Sequence, residues 1–523
     1  DRLLQVVRTS ESDTHRVLAL RGLIRMVPKS ADPAELVRKL KPHIDQVSQK
    51  RLLLSNVGQA QPSSALVSEV LPMLADAKVA REAAVAVVSL AERAGYMNPE
   101  LLRDAIERIE SAGLEDELKQ QVNKLRKRAK ELEKSVQQSL NDIEAVTPDG
   151  YRRLAYVNCG ADPEVSAGGV TVERLNGEPY SYGGSPTSLR TVAFDGSSLK
   201  YRVSGLSAGE DYVLGFAWWD VDRNGRRQSV SLAPGGSSDW TQVLPPCPPV
   251  AYRNGKPGWA RVVLPIPGDM VEDGTVKVAF GKHAGPNVTV SELWLAERQG
   301  SEPQKRVAIV TGDELHTWTK VAPEVAGILR QDPRLEVFIE ETPWFYGSPL
   351  TDRFDATVLV FQEQKMETDE VVWDGLARHV KDGGDLVMVH FACGAFQAWD
   401  GFVKVAGRVW NPDLRPHDPR GSFEVNIVDR DHPITRGIQD FTTTDELYTC
   451  LDGDVDIHLL AEATSKVDEK DYPMAFTNTF GDGRVFNCVL GHDLKAFEPA
   501  EVRQLYRRGM AWALGLEPSD SGN

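Results

Sequence analysis

Histidine is the residue type whose positions in this sequence point most clearly to chemistry. Seven of the ten histidines lie after residue 305, and three of them, His316, His390 and His492, follow runs of apolar residues. Imidazole titrates near neutral pH, so it can take up and return a proton at little cost, and its neutral form is a common metal ligand. We therefore expect proton transfer or metal binding here, with His417 and His432 as further candidates.

The sequence around these histidines alternates between strand and helix patterns. The runs that predict strands are "RVAIVTG", "LEVFIEE", "ATVLVFQ", "DLVMVHFA", "FEVNIV", "IHLLAEA", "PMAFTNTF" and "RVFNCVL", and those that predict helices are "VAPEVAGILRQ", "DEVVWDGLARHVKDGG" and "AEVRQLYRRGMAWALG". Such alternation is typical of a parallel, doubly wound, flavodoxin-like α/β domain, whose ligands bind at the carboxyl ends of strands. Histidines after separate strands would converge there. His379 and His458 fall inside elements, and we interpret them as structural.

The stretch "GGDLVMVHFACGAF" predicts a buried strand that ends in a sharp turn. Hydrolases and amidotransferases often carry a Ser or Cys nucleophile at such a turn. Here the turn offers His390, and Cys393 follows three residues later. Thiol-ester and serine chemistry are therefore disfavoured, and the chemistry left is that of histidines and carboxylates.

A second reacting group is expected in "TTDELYT", which supplies Asp445, Glu446 and Tyr448. The structural alternative is that Asp445 caps the start of a helix. His432 precedes Pro433, which favours an extended conformation and allows a plain turn instead of a site. Trp318, Asp445 and His417 are further candidates for contact with a substrate.

A metal ion is the second interpretation of the same residues. His316, His390 and His492, with Glu446 or Asp493, offer enough nitrogen and oxygen ligands for zinc or a similar divalent ion. The sequence has no HExxH motif or paired CxxC motifs to support a particular metal.

Length and charge limit the number of domains and the kinds of partner that the chain can have. A chain of 523 residues predicts about three domains. The net charge of -16 arises after residue 142, where 56 acidic residues outnumber 37 basic ones. That excess of acid disfavours nucleic acid as a partner. No apolar run approaches the ~18 residues of a membrane span. Five cysteines are too few for a disulfide scaffold, although a Cys159–Cys247 bridge is an option.

Residues 1–145 show helical spacing of apolar residues, and similar runs recur near positions 18, 52 and 85. This region resembles HEAT-type repeats, which commonly present binding surfaces for protein partners. A long polar helix is expected over about 113–143.

Residues 150–298 contain short alternating runs separated by turn signals, which predict an antiparallel sandwich. "DVDRNGRRQS" places Asp220, Asp222 and Asn224 at calcium-loop spacing, but the Asn-Gly pair favours a β-hairpin. Of Trp218 and Trp219, which point to opposite faces of a strand, one is expected in the core and Trp219 could stack on a sugar. "YVNCGAD" and "VAFGKHAGPNVTVSELWL" resemble malectin-type or galactose-binding-like jelly rolls, which often bind sugars.

Residues 305–517 carry several motifs in order: "VAIVTGDELHTW", "GGDLVMVHFACGAF", "DRDHPITRGI", "TTDELY" and "GRVFNCVLGHD". Together they resemble the ThuA-like (trehalose utilisation) family, a branch of the class I glutamine amidotransferase-like fold. The resemblance implies that His390 stands where amidotransferases keep Cys. It also implies sugar catabolism, with isomerisation, elimination or hydrolysis of a keto-sugar or glucoside by a lyase, hydrolase or isomerase.

The alternative function is a non-catalytic scaffold that binds glycans or proteins and carries a silent amidotransferase-like domain. The three-part layout is associated with exported or periplasmic bacterial proteins more than with cytoplasmic ones.

Overall fold

The structure is a computed structural model that describes residues 2–94, 97–114, 116, 118–161, 164–182, 188–312, 315–363 and 366–518. The chain forms two compact units. The first comprises Asp1–Leu140, Asn158–Pro163 and Pro179–Ala193, and the second comprises Asn141–Val157, Glu164–Glu178 and Phe194–Asn523. The third predicted region and most of the second thus lie in one unit, and the three-domain division stays a prediction.

The N-terminal region is helical, as its apolar spacing predicts. Its helices are α1 (Arg2–Thr9), α2 (Asp13–Met26), α3 (Pro33–Leu40), α4 (Val47–Val57), α5 (Ser64–Val70), α6 (Ala80–Arg93), α7 (Pro99–Ser111) and α8 (Lys119–Val146). Side chains that cap helix starts set several boundaries: Asp32 accepts from the backbone N–H of Glu35, and Ser63 accepts from that of Leu66. The apolar faces meet in one core that includes Leu53 and Leu90.

Among the described residues, no helix is long and apolar enough to cross a membrane.

The middle region is built of antiparallel sheets. Its strands are β1 (Tyr151–Asn158), β2 (Glu164–Ala167), β3 (Val170–Arg174), β4 (Glu178–Ser181), β5 (Thr191–Asp195), β6 (Ser198–Ser204), β7 (Tyr212–Trp218), β8 (Arg227–Pro234), β9 (Thr241–Cys247), β10 (Ala251–Arg253), β11 (Lys256–Gly258), β12 (Ala260–Ile266), β13 (Thr275–Ala284), β14 (Val288–Val290) and β15 (Glu292–Arg298). A four-stranded sheet has the order β1-β15-β7-β12, and a six-stranded sheet has the order β2-β3-β6-β13-β8-β9.

The two sheets pack through aromatic side chains on their inner faces. The rings of Phe216 in β7 and Phe280 in β13 lie 5.2 Å apart, and Trp218 is fully buried beside them. Trp218 is therefore the core tryptophan of the pair. Because β7 and β8 belong to different sheets, the connection at Asn224 is not a β-hairpin, and that prediction is wrong.

The C-terminal region is an α/β domain. Its elements are β16 (Lys305–Val310), α9 (Trp318–Leu329), β17 (Leu335–Glu340), β18 (Ala356–Leu359), α10 (Glu370–Lys381), β19 (Asp385–Val389), α11 (Phe402–Ala406), β20 (Gly421–Ile427), β21 (Phe441–Asp445), β22 (His458–Thr464), β23 (Asp471–Phe480), β24 (Gly483–Cys488) and α12 (Ala500–Ala513). They form a nine-stranded sheet with the order β17-β16-β18-β19-β24-β23-β22-β20-β21.

Only part of this sheet is parallel. β17, β16, β18, β19 and β24 pair in parallel, in the flavodoxin-like order, whereas β20 to β23 extend the sheet with antiparallel pairs. The expectation of a wholly parallel sheet is therefore wrong. Strands such as β23 and β24 are joined by a tight turn with no crossover helix, and such a turn allows only antiparallel pairing.

Two acidic residues at the end of β17 connect this domain to the sandwich strand β12. Glu340 accepts from the backbone N–H of Val263 at 3.0 Å, and Glu341 accepts from that of Arg261 at 2.9 Å. Burial raises the pKa of Glu340 well above its usual range. The two carboxyl groups thus bind sandwich backbone inside a shared core.

Candidate active site

Three histidines meet at the carboxyl edge of the parallel strands. His316 follows β16, His390 follows β19 directly, and His492 lies four residues beyond the end of β24. One ring nitrogen from each lies within 4.8 Å of the other two, and no other such group of His, Cys, Asp or Glu is found in the described chain. Strands that run in the same direction deliver their last residues to one edge, which explains the convergence.

His390 is held in an unusual backbone conformation. Its φ is +43°, in the left-handed region, and it opens the short 3₁₀ turn His390–Gly394. The fully buried ring has its Nδ1 2.7 Å from the carbonyl oxygen of Val489. Because a carbonyl can only accept, Nδ1 carries the hydrogen, and in the neutral ring Nε2 presents a lone pair to the site.

Glu446 lies at the centre of the cluster. Its Oε2 is 3.1 Å from Nδ1 of His492, 3.6 Å from Nε2 of His390 and 3.9 Å from Nε2 of His417. Burial alone would raise the pKa of Glu446, but its interactions with His390 and His492 outweigh burial and hold that pKa well below the usual range. Glu446 is therefore ionised at neutral pH.

Asp445 positions the loop that carries His492. Its fully buried carboxylate accepts from the backbone N–H groups of Glu446 at 2.8 Å, Gly491 at 2.6 Å and His492 at 3.3 Å. Burial raises the pKa of Asp445, and its hydrogen bonds and His390 oppose that rise. No helix starts at this described residue, so the helix-cap interpretation of Asp445 is wrong.

Aromatic contacts fix the remaining rings of the cluster. His316 stacks on Phe391 with ring centroids 3.9 Å apart and an angle of 4°. The ring of Tyr448 meets His390 edge-on at 4.7 Å and lies 5.8 Å from His417. The structure thus brings His316, Glu446, Tyr448 and His417 to the neighbourhood of His390.

Three residues proposed from the sequence lie elsewhere. His432 packs beside His458, with ring centroids 5.3 Å apart, and beside Trp512 at 5.5 Å. Trp318 is buried, and its indole N–H donates to the carbonyl oxygen of Tyr252 at 2.5 Å. Trp219 lies edge-on against Trp259 in the sandwich, at 5.8 Å. Each of the three rings is covered by a segment other than those that carry the cluster.

The proposed calcium ligands are occupied by a protein cation. The guanidinium of Arg226, whose side chain is buried, pairs with both Asp220 and Asp222. Asn224 contributes its backbone N–H to Asp220 at 3.1 Å. A calcium ion would have to displace Arg226, so the structure does not support the calcium prediction.

The cysteines take no part in the site. Cys393 is buried, and burial raises the pKa of its thiol to about 12, so the thiol stays protonated and unreactive. Neither Cys159 nor Cys247 forms a disulfide in the described part of the chain, so the suggested bridge between them is not present.

Two contacts that support the cluster were not predicted. The carbonyl of Val489 orients His390, and the sandwich hairpin β10–β11 holds the loop of His316 through Tyr252, whose N–H also donates to the carbonyl of Gly312 at 3.3 Å. Neither residue type is distinctive, and the sandwich contact comes from a different predicted domain. No local sequence signal could have revealed them.

Glu446 should control the protonation of His492. The hydrogen bond to Glu446 raises the pKa of His492, so Glu446→Gln should lower that pKa and make the ring lose its proton at lower pH. NMR titration of the ring C–H signals in chelator-treated protein measures this shift. Asp493→Asn is the matched control and should have a smaller effect, because Asp493 acts on His492 only through charge. An unchanged pKa in Glu446→Gln would contradict the assignment.

The strand order of the parallel half defines the class: an α/β domain of flavodoxin-like topology. Residues 306–513 match the sequence model of the ThuA family, described as trehalose utilisation. The resemblance seen in the motifs is thus confirmed for this domain. No curated protein matches the chain.

Three of the solved structures that are similar to the chain each match between 41% and 43% of its length. A ThuA-like protein from Parabacteroides merdae is 21% identical, with 42% of this chain and 94% of that chain covered and a TM-score of 0.38. A ThuA-like protein from Bacteroides uniformis is 17% identical, with 43% and 97% covered and a TM-score of 0.35. A glutamine amidotransferase from Thermotoga maritima is 12% identical, with 41% and 99% covered and a TM-score of 0.27.

Proposed function

We propose that the C-terminal domain is a carbohydrate-active enzyme that moves a proton on a keto-sugar or a glucoside. The observation that carries the proposal is the convergence of His390 and His492 on one carboxylate oxygen of Glu446. The description of the ThuA family supports a sugar as the substrate.

The two histidines suit different roles. His390 donates through Nδ1 to Val489, so Nε2 is free to accept a proton and act as the base. His492 lies against ionised Glu446, which favours its protonated form and suits it to act as the acid. A base and an acid within reach of one substrate are the usual arrangement for catalysis by proton transfer.

On a keto-sugar the step is as follows. Nε2 of His390 removes the proton from the carbon beside the ketone, and the C–H electron pair forms an enolate. Where the deprotonated carbon bears a hydroxyl group, its O–H proton passes to the oxygen of the former ketone and His390 returns its proton to the former ketone carbon, so the C=O group moves to the adjacent carbon, which is isomerisation. Where the next carbon bears the glycosidic oxygen, the enolate instead re-forms the ketone and expels that oxygen. The departing oxygen then takes the proton of His492, so a glycosidic bond breaks and a C=C bond forms without any oxidant.

A divalent metal at the same site is the second candidate, and a specific observation favours it. Nε2 of His390 and Nδ1 of His492 are both buried, and both lie near Oε2 of Glu446, at 3.6 Å and 3.1 Å. Together with His316 these atoms match the ligand types of zinc or a similar ion. The bond from His390 Nδ1 to a backbone carbonyl is the usual support for a metal-binding histidine. A bound ion would polarise a sugar oxygen as a Lewis acid.

One screen tests both candidates. Native disaccharides and disaccharides oxidised to the keto form are incubated with the full chain, purified without a histidine tag, with and without chelator. We expect turnover of at least one oxidised disaccharide. Loss of turnover with chelator, and about one divalent ion per chain by elemental analysis, would select the metal candidate. Absence of turnover for every sugar would favour the non-catalytic scaffold.

The other regions are proposed as accessory modules. The N-terminal helices are assigned to HEAT-like repeats that bind a protein partner, and the sandwich to a malectin-like or galactose-binding-like jelly roll. Their boundaries are proposed as 1–145 and 150–298, followed by the ThuA-like domain at 305–517. An exported or periplasmic location is part of this proposal.

A further inference from the structure

We infer that a cleft built on the loops that carry the histidine cluster binds a second ring of a neutral saccharide. The cleft has a volume of about 670 Å³ and is lined by residues that include Phe396, Gln397, Trp399, Trp410, Asn411 and Asp452; we name it the tryptophan cleft. This inference deepens the proposed function and rests on it, because the first ring would lie at the cluster. The volume falls within the range of small-molecule sites in proteins.

Three chain segments lead from the cluster into the cleft. The turn that begins at His390 continues directly into Phe396, and the segment after Tyr448 supplies Asp452. The segment before His417 supplies Trp410. Two of these segments are bonded together, since the backbone N–H of Trp410 donates to the carbonyl of Cys393 at 2.9 Å. The cleft is therefore built on the same loops as the site.

Two tryptophans form the aromatic wall of the tryptophan cleft: the ring of Trp399 is held by its neighbours, and the ring of Trp410 is available to a ligand. Trp399 is parallel to Trp373, with centroids 6.3 Å apart and an angle of 2°. It lies so close to Gly401 that a Cβ there would be 2.4 Å from Nε1 of the indole. Trp410 is half-buried, and within the described chain no ring–ring or cation–π contact involves it. An available indole face suits the C–H face of a sugar ring, which is apolar beside its polar hydroxyl edge.

The polar wall consists of acceptors. Nδ2 of Asn411 donates to Oδ2 of Asp452 at 2.9 Å, and Oδ1 of Asn411 accepts from the backbone N–H of Asp413 at 2.9 Å, so the loop is held in place. Asp400 and Asp454 add two more carboxylates, and none of the described lining residues is Lys or Arg. Carboxylates accept hydrogen bonds from sugar hydroxyls but repel anions. The cleft thus favours neutral saccharides over phosphorylated or acidic ones.

The test is a binding titration of the full chain by calorimetry. The probes are trehalose and maltose as neutral disaccharides and glucose 6-phosphate as an anionic sugar. We expect at least one disaccharide to bind with a Kd in the millimolar range or tighter and the anion to bind at least tenfold more weakly. Trp410→Ala should weaken disaccharide binding at least tenfold. Trp240→Ala, which removes an exposed tryptophan of the sandwich, is the matched control and should change nothing.

Further variants separate this inference from the proposed function. His390→Asn should still bind the disaccharide more tightly than glucose 6-phosphate even if it has lost all turnover, so loss of turnover alone counts against the proposed function and not against this inference. Trp410→Phe keeps an aromatic ring, so it tests the inference should the alanine variant fail to fold, and it should weaken binding by a smaller factor. Unchanged binding in the folded Trp410 variants, equal binding of glucose 6-phosphate, or no binding of either disaccharide would overturn the inference.

Discussion

His390→Ala should lower the turnover of a keto-disaccharide by on the order of 10²–10⁴-fold. His390 offers an Nε2 that faces Glu446, and the carbonyl of Val489 holds its ring in a known tautomer. Without it, removal of the proton falls to water, while Glu446 and His492 stay in place. Steady-state kinetics on the full chain measure the effect, which should appear mainly in kcat because the loss concerns the reacting step.

Two controls separate chemistry from folding. His390 adopts a positive φ, which Asn tolerates better than Ala, so His390→Asn removes the imidazole with less backbone strain and should be equally inactive. His458→Ala removes a histidine that pairs with Asp429 away from the cluster, and it should keep turnover within a few-fold of the unmodified protein. Full turnover in a folded His390→Asn variant would remove His390 from the mechanism.

Arg253→Ala should destabilise the second compact unit by about 3–5 kcal/mol and also reduce turnover. The Arg253 guanidinium pairs with buried Glu341 and lies 4.7 Å from the ring centre of Trp259 and 5.0 Å from that of Trp318. Its removal leaves a buried carboxylate without its cation and frees the indole two residues from His316. Chemical denaturation gives the free energy of unfolding, and kinetics give the effect on turnover.

The matched control uses a second ion pair between the sandwich and the α/β domain. Arg227 pairs with Asp369 at 2.8 Å, but both side chains are exposed by more than a third. Arg227→Ala should therefore cost less than about 1 kcal/mol and leave turnover unchanged. Equal losses for Arg227→Ala and Arg253→Ala would show that burial and the contact with Trp318 do not matter.

Local patterns were sufficient for the parallel half of the sheet and for the meeting of three histidines. β16 and β19 each contain a continuous apolar run, which is the pattern of strands buried on both faces. The histidines after them could then be placed together, because parallel strands bring their carboxyl ends to one edge of the sheet. Glu446 was found because three polar groups cluster in "TTDELYT". These features depend on short stretches of chain and on general topology.

Features that depend on distant partners could not be predicted. Trp318 has a tryptophan's usual chemistry for sugar contact, but a carbonyl 66 residues earlier in the chain takes its N–H. Asp220 and Asp222 have calcium-loop spacing, and only the packing of Arg226 shows that their charge is already balanced. His432 follows a strand as the cluster histidines do, yet it packs against Trp512 of the last helix. In each case the residue type allows a role in a site, and the tertiary contacts determine whether the side chain has that role.

The contact between the β10–β11 hairpin and Trp318 has a practical consequence for the design of shorter fragments of the chain. A fragment that starts at residue 305 would match the family profile in full, yet it would lack the carbonyl of Tyr252 and the guanidinium of Arg253. The buried ring of Trp318 would then face water, and His316, two residues before it, would lose the support of that packed ring. Truncated versions made for crystallisation or enzyme engineering should therefore begin before residue 150 and carry the sandwich with them.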